Sequence, residues 1–144
     1  MRKLITLMLA AGAIAVPAAS ASPLHGKPSG PKPCHGRATV TVVLKGTFVA
    51  AATDGLSFQL SANHANRHGR LYLKGLQPMT ITVNANTRFV KNGAAAKLSD
   101  LAAKDRLVVL SKASRCALKS TTDPASLPAL TARMVVDQGP AESS

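Results

Sequence analysis

The stretch of the chain with the most chemically active side chains is the polar segment SANHANRHGR together with the residues just after it. It holds three cations and two imidazoles: Arg67, Arg70, Lys74, His64 and His68. Guanidinium and ammonium groups form charge-assisted hydrogen bonds with phosphate and carboxylate oxygens. We therefore predict that these five residues form the contact surface for an anionic ligand.

The charge of the whole chain also favours an anionic partner. The formal net charge is +12, which suits acidic wall polymers, lipid headgroups or nucleic acid. Grooves that bind single-stranded nucleic acid also carry exposed aromatic rings on which bases stack. Phe48 and Phe58 fall on the apolar faces of predicted strands, which leaves Tyr72 as the candidate platform. The sequence therefore favours an anionic polymer or a membrane surface over nucleic acid, without excluding the latter.

His64 and His68 stand four residues apart, the spacing that places two imidazoles on one face of a helix. A zinc site needs three or four protein ligands, and the surrounding Asn63, Asn66 and Gly69 disfavour a helix. Metal binding through the loop histidines therefore stays an alternative function. We assign no metal ligands and predict no cofactor.

The acidic residues give no sign of catalysis. They are scattered along the chain, with Asp54 in a predicted turn and Asp123 in a predicted loop. The sequence shows no paired carboxylates, no nucleophile motif and no glycine-rich phosphate loop. We therefore predict no catalytic residues and a protein that is not an enzyme. A purely structural extracytoplasmic protein is the other alternative to the binding function.

The first residues have the order of a secretory signal peptide. Arg2 and Lys3 precede an apolar run and a small-residue triplet that ends at Ala21. The run is shorter than the roughly 20 residues that a membrane-spanning helix needs. We therefore predict a signal peptide at residues 1–21, cleavage near Ala21, and a secreted or periplasmic protein. Residues 22–37, rich in proline and glycine, are predicted to form a linker.

Two cysteines, Cys34 and Cys116, are present in the chain. In an oxidising compartment they can form one intramolecular pair, so we predict a disulfide between them. Closing so long a loop stabilises a fold by about 4 to 5 kcal/mol in the chain-entropy model. Two separate buried thiols are the alternative.

Alternation of apolar and polar residues predicts most of the strands. It is clearest from Val40 to Ala50, where Gly46 indicates a bend, and the pair Asp54-Gly55 then indicates a hairpin turn with positive φ at both residues. The closing strand has its apolar face at Leu130, Ala132, Met134 and Val136. The other predicted strands lie at 56–60, 79–83, 87–90 and 107–110.

Together these elements predict an all-β domain at residues 38–138, a small antiparallel OB-like β-barrel of five to six strands. One short helical segment is predicted within residues 94–103, and a long surface loop at 112–128. Residues 139–144 are predicted to be a disordered tail. A small sandwich is the alternative architecture.

Five short motifs follow one another along the chain: VVLKGTF at 42–48, TRF at 87–89, LSDL at 98–101, KDRL at 104–107 and LTARMV at 130–135. Their order and spacing resemble a family of secreted bacterial domains of unknown function with small OB-like β-barrel folds. The resemblance implies a fold and an exported setting, and it implies no activity. The family has glycine where this chain has Lys104 and Ser111, and lysine does not readily adopt positive φ.

Overall fold

The computed structural model describes residues 38–140, which fold mainly into strands. The strands are β1 (Thr39–Ala51), β2 (Ser57–Ala65), β3 (Met79–Thr82), β4 (Arg88–Lys91), β5 (Ala94–Ala96), β6 (Asp105–Ser114) and β7 (Leu130–Pro140). The described residues also form one helix, α1 (Arg115–Ser120), and 3-10 turns at Tyr72–Lys74, Leu98–Asp100 and Pro124–Ser126. The predicted mainly-β fold is confirmed. The predicted signal peptide, the linker and residues 141–144 lie outside the described residues, whereas Gly139 and Pro140, which were predicted to begin the disordered tail, are the last residues of β7.

All seven strands belong to one sheet, in the order β3-β2-β1-β6-β7-β4-β5. β3 also pairs with the start of β7 through Ile81–Leu130 and Thr82–Thr131, so the ladder returns on itself. Both β3 and β4 run parallel to β7. The chain between each of them and β7 is long enough for the crossover that a parallel pair requires.

The architecture corrects the predicted antiparallel barrel in two respects. The sheet is mixed rather than purely antiparallel, and it has seven strands rather than five or six. It is also not a clean barrel. The strands β1, β2, β3, β7 and β6 pair in a closed cycle, whereas β4 and β5 extend the sheet from β7 outside that cycle. Sequence alternation reports which face of a strand is buried, and it carries no information on the direction of the neighbouring strand.

β1 pairs with β2 on one side and β6 on the other, and its pairing with β2 is irregular at Gly46. Its register with β2 shifts there: Lys45 lies opposite His64, whereas Gly46 lies opposite Ala62. A Cβ atom on residue 46 would lie 2.1 Å from the backbone oxygen of Ser61. Only glycine therefore allows β1 and β2 to approach so closely, and the predicted bend is confirmed.

Inward-facing residues of the strands form an aliphatic core around two phenylalanines. The rings of Phe48 and Phe58 lie 6.0 Å apart, centroid to centroid, with an interplanar angle of 39°. Both rings are buried, as predicted. The fully buried aliphatic side chains are Leu44, Leu60, Ile81, Leu107, Leu130, Val42, Val109 and Val135.

β7 buries a different set of residues from the one that simple alternation predicts. Met134 and Val136 were expected inside, whereas Val135 and Asp137 are the buried residues. The register between β6 and β7 shifts next to Ser111, leaving one extra residue in β7. Such a bulge moves every later side chain of the strand to the opposite face.

The turns explain two further differences from the prediction. Asn92 and Gly93 both have positive φ, 52° and 79°, and they join β4 to β5 in a hairpin, so the expected helical segment is reduced to the 3-10 turn Leu98–Asp100. The β1–β2 hairpin is confirmed, but Gly55 has positive φ and Asp54 does not. Instead, a carboxylate oxygen of Asp54 accepts a hydrogen bond from the N–H of Leu56 at 2.8 Å.

Lys104 adopts the left-handed conformation that glycine takes most readily. Its φ is 73°, and its backbone N–H donates to the carbonyl oxygen of Phe48 at 2.9 Å. The turn before β6 therefore forms despite the lysine. A non-glycine residue in this conformation carries a local strain of about 1 to 2 kcal/mol.

Candidate anion-binding cavity

The five predicted contact residues lie at the end of β2 and in the two turns that follow it. His64 lies in β2, because that strand continues further than alternation indicated. Arg67, His68 and Arg70 follow β2 in a turn, and Lys74 ends the next 3-10 turn. All five are exposed. Arg67 and His68 line one common cavity, His64 lines another, and Arg70 and Lys74 lie outside both.

Asn66 holds the turn that presents Arg67 and His68. Its backbone N–H donates to the carbonyl oxygen of Val43 at 3.0 Å, and its side-chain oxygen accepts from the N–H of Val43 at 3.2 Å. Its side-chain amide donates to the carbonyl oxygen of Thr41 at 2.9 Å. The side chain thus continues the hydrogen bonding of the sheet beyond the end of β2. The position of Arg67 and His68 relative to β1 is therefore well determined.

Gly69 allows the same turn to pack directly on the core. A Cβ atom on this residue would lie 3.1 Å from Leu44 and 3.2 Å from Val42, both of which are inward-facing residues of β1. The turn therefore covers the inner side of β1. The residues on either side of Gly69 project from this end of the domain.

Helix α1 supplies the opposite wall of the cavity. Its N-terminus is capped by the hydroxyl oxygen of Ser114, which accepts from the N–H of Ala117 at 3.4 Å. Arg115 and Lys119 are four residues apart, so they share one helix face, and both line the cavity with Leu118. Sequence reasoning missed these two cations because the segment was predicted to be a loop. Their four-residue spacing was the available signal.

The cavity combines an apolar floor with a positively charged rim. Its volume is about 220 Å³. Val40, Leu71 and Leu118 are half-buried and form the apolar part. The polar lining comes from Arg67, His68, Arg115 and Lys119, and no acidic side chain is among the described lining residues. This arrangement can hold one anionic group with a short apolar portion, because no carboxylate of residues 38–140 lines the cavity to neutralise its cations.

The structure brings together two carboxylates that the sequence analysis treated as separate. The ammonium of Lys91 lies 3.0 Å from Oδ2 of Asp105 and 2.9 Å from Oδ2 of Asp137. It also donates to the carbonyl oxygen of Asp100 at 2.8 Å. Both carboxylates are buried. The β7 bulge that turns Asp137 inward makes this cluster, which explains why alternation did not predict it.

The cluster consists of two ion pairs that share one ammonium, and this ammonium offsets part of the charge of the two buried carboxylates. Burial of Asp105 alone would raise its pKa. Hydrogen bonds from the N–H of Ala102 and from Lys91 outweigh that effect and hold the pKa of Asp105 below its usual value. The pKa of Lys91 is raised because its ammonium lies against Asp137 and Asp105. Oδ2 of Asp137 makes no well-aligned hydrogen bond and is held by charge attraction to Lys91.

Tyr72 is not the exposed stacking platform that was predicted. Its side chain is part of the core, with an exposed fraction of 5%, and its hydroxyl donates to the carbonyl oxygen of Pro128 at 2.9 Å. This burial raises the pKa of Tyr72 to about 12. The prediction was wrong because Tyr72 begins the 3-10 turn Tyr72–Lys74, in which its ring is buried.

The remaining site predictions concern metal and disulfide bonding. Among residues 38–140, no group of three or more His, Cys, Asp and Glu side chains is arranged to hold a metal ion. Cys116 lies half-buried in α1, and Cys34 lies outside the described residues. The disulfide between them stays a prediction.

No family model, curated protein or solved structure matches the chain significantly. In the part of the chain that the structure describes, no helix is both long and apolar enough to cross a membrane.

Proposed function

We propose that this protein is an extracytoplasmic binding module that takes an anionic group into the cavity between α1 and the turn after β2. The observation that carries the proposal is the lining of that cavity, where Arg67, Arg115 and Lys119 surround an apolar floor. Charge-assisted hydrogen bonds from such cations are about twice as strong as neutral ones. The ligand class is a phosphate or carboxylate, as carried by wall polymers and lipid headgroups.

The proposal treats the protein as a binding protein rather than an enzyme. The cavity offers cations and aliphatic side chains, and its described lining includes no carboxylate or thiol beside His68. The carboxylates of Asp105 and Asp137 are engaged in ion pairs with Lys91 within the fold. Nucleic acid is not the proposed ligand, because Tyr72 is buried. Metal binding is not proposed either, because His64 and His68 line different cavities.

We also propose an OB-like barrel as the finer description of the fold, and membership of the secreted bacterial family. The cyclic pairing β1-β2-β3-β7-β6, with its parallel β3–β7 step, supports the first proposal. Two features support the second: the family motifs fall in separate strands and turns, and Lys104 takes the φ that suits a glycine. Mass spectrometry of the N-terminus of the exported protein tests the predicted cleavage near Ala21.

Binding of inorganic phosphate and glycerol phosphate tests the cavity, with isothermal titration calorimetry at two salt concentrations as the measurement. The double variant Arg67→Gln/Arg115→Gln removes one cation from each wall. A charged hydrogen bond contributes about 1.5 to 3 kcal/mol, so each lost guanidinium should weaken binding by about tenfold or more. Binding should also weaken as salt is raised.

The double variant Arg70→Gln/Lys74→Gln is the matched control, because it removes the same charge from exposed residues outside the cavity. It should bind nearly as well as the wild type. If neither anion binds the wild-type protein, or if the control loses as much affinity as the cavity variant, the cavity is not the site. The purely structural alternative predicts that result.

A further inference from the structure

A second surface, separate from the cavity, lies on the outward side of the sheet. Cross-strand partners share a face, and two rows of partners cross this side. One row runs from Val43 to Leu110, Met134 and Arg88. The other row runs from Lys45 to Val108, Val136 and Val90. We call this surface the outer face.

The middle of the outer face is aliphatic. Its six aliphatic side chains are all half-buried rather than fully covered: Val43, Val90, Val108, Leu110, Met134 and Val136. In β1 and β6 their strand neighbours on the inward side are core residues: Val42, Leu44, Leu107 and Val109. The bulge in β7 contributes to this composition, because it places Met134 and Val136 outside. The outer face therefore exposes apolar surface where an ordinary sheet would expose polar residues.

The edges of the outer face carry exposed cations, which are Lys45, Arg88, Arg106, Lys112 and Arg133. Lys112 lies opposite Thr41, and Arg106 lies opposite Thr47. Six residue steps along β6 separate these two cations, a distance of about 20 Å at the rise of a strand. Arg88, Lys112 and Arg133 line a cavity of about 300 Å³ above Leu110 and Met134.

None of the described acidic residues lies on the outer face. Asp105 and Asp137 are buried beside Lys91. Asp54, Asp100 and Asp123 lie in turns between strands, where their carboxylates accept backbone hydrogen bonds. The positive charge of the face therefore has no carboxylate on the same surface to neutralise it.

We infer that the outer face docks on an anionic lipid bilayer. Cations about 20 Å apart cannot all contact one small anion, so the partner must present many negative charges over a broad area. The aliphatic centre matches the boundary between headgroups and acyl chains, where half-exposed apolar side chains insert. A single-stranded nucleic acid would need exposed aromatic rings for base stacking, and the face has none among its described residues. The inference does not depend on the cavity proposal, because the two surfaces share no residue.

Flotation with vesicles of phosphatidylglycerol and phosphatidylcholine, compared with pure phosphatidylcholine, tests the inference. The full chain is expressed for export. The readout is the ratio of the two partition coefficients, because this ratio cancels any apolar contribution that is independent of lipid charge. The double variant Lys112→Gln/Arg133→Gln removes two cations of the face. A cation near an anionic bilayer raises the affinity about fivefold, so this variant should lower the ratio about 25-fold.

The double variant Arg70→Gln/Lys74→Gln, which has the same charge change and lies outside both the cavity and the outer face, is the control. It should change the ratio by less than about threefold, because charges beyond about 8 Å are screened at physiological salt. Loss of phosphate binding only in the cavity variant, with loss of vesicle binding only in the face variant, would establish two independent sites. Circular dichroism checks that each variant is folded. If the face variant is not folded, Lys45→Gln/Arg106→Gln replaces it.

Three results would overturn the inference. The first is wild-type protein that does not prefer anionic vesicles. The second is a face variant that loses no more binding than the control Arg70→Gln/Lys74→Gln, which would indicate a general charge effect. The third is wild-type protein that binds soluble polyphosphate and ignores vesicles, which would identify an anionic polymer as the partner.

Discussion

The close approach of β1 and β2 at Gly46 makes a specific prediction about stability. In the variant Gly46→Ala, the new Cβ atom would lie 2.1 Å from the backbone oxygen of Ser61 and 2.7 Å from the Cα atom of Ala62. Both are backbone atoms, so no side-chain rotation can relieve the contact. The two strands must separate by about 1 Å to reach an ordinary van der Waals distance.

The energetic cost follows from this separation. Overpacking a close contact costs about 1 to 3 kcal/mol, and weakening one or two neighbouring ladder hydrogen bonds adds about 1 kcal/mol each. Replacing glycine returns about 0.4 to 1 kcal/mol by restricting the unfolded chain. We expect a net loss of about 2 to 3 kcal/mol, which lowers the melting temperature of a domain of this size by about 10 to 20 °C.

Urea unfolding followed by far-UV circular dichroism is the appropriate assay, because the chain has no tryptophan and one tyrosine. Gly75→Ala is the matched control. Its Cβ atom would lie 3.4 Å from the carbonyl oxygen of Tyr72 and 3.6 Å from Pro124, which are ordinary contacts, and its φ of −78° suits alanine. The control should stay within about 0.5 kcal/mol of the wild type. If Gly46→Ala is equally stable, the two strands do not approach as described.

Three other measurements test the interior. Because the pKa of Asp105 is lowered in the folded protein, its ionised carboxylate stabilises the fold above the unfolded pKa of about 3.9, and this stabilisation is lost as the pH falls below that value. Asp105→Asn should therefore be about 1.5 to 3 kcal/mol less stable at pH 7 and lose less stability towards pH 3. Equal pH slopes of the two unfolding free energies in urea would contradict this. The tyrosinate absorbance reports Tyr72 alone and should titrate near pH 12 in the folded protein and near about 10 in urea. The free energy of unfolding should decline as the pH rises through this interval. A midpoint near about 10 in the folded protein would show that the ring is exposed. Lys104→Gly should raise the free energy of unfolding by about 0.5 to 1 kcal/mol, the relief of left-handed strain less the added chain entropy, whereas Lys104→Ala should give no gain in thermal melts.

Much of the local structure could be predicted from residue order. The alternation from Val40 to Ala50 predicted a strand with one buried face, and the buried positions of Val42, Leu44 and Phe48 confirm it. The glycine in the same strand predicted the bend. These predictions succeed because the period of a strand and the missing side chain of glycine are local properties that act within a few residues.

The candidate sites depend on contacts that residue order does not contain. Arg67, Arg115 and Lys119 line the same cavity. Asn66 attaches the turn that carries Arg67 to β1, and α1, which carries the other two cations, follows β6. Five cations share the outer face only because of the registers between four strands. The basic loop residues were singled out by their closeness in sequence, and in the structure Arg67 and His68 line one cavity while His64 lines another.

The sequence by itself determined the excess of positive charge, the aliphatic core and most of the strands, because composition and side-chain period act locally. Tertiary structure decided the direction of the strands, the inward turn of Asp137 and the convergence of distant cations. The extra residue in β7 places Asp137 inside and Met134 and Val136 outside. The register with the neighbouring strand β6, rather than the residues of β7 alone, therefore decides which of its side chains face solvent.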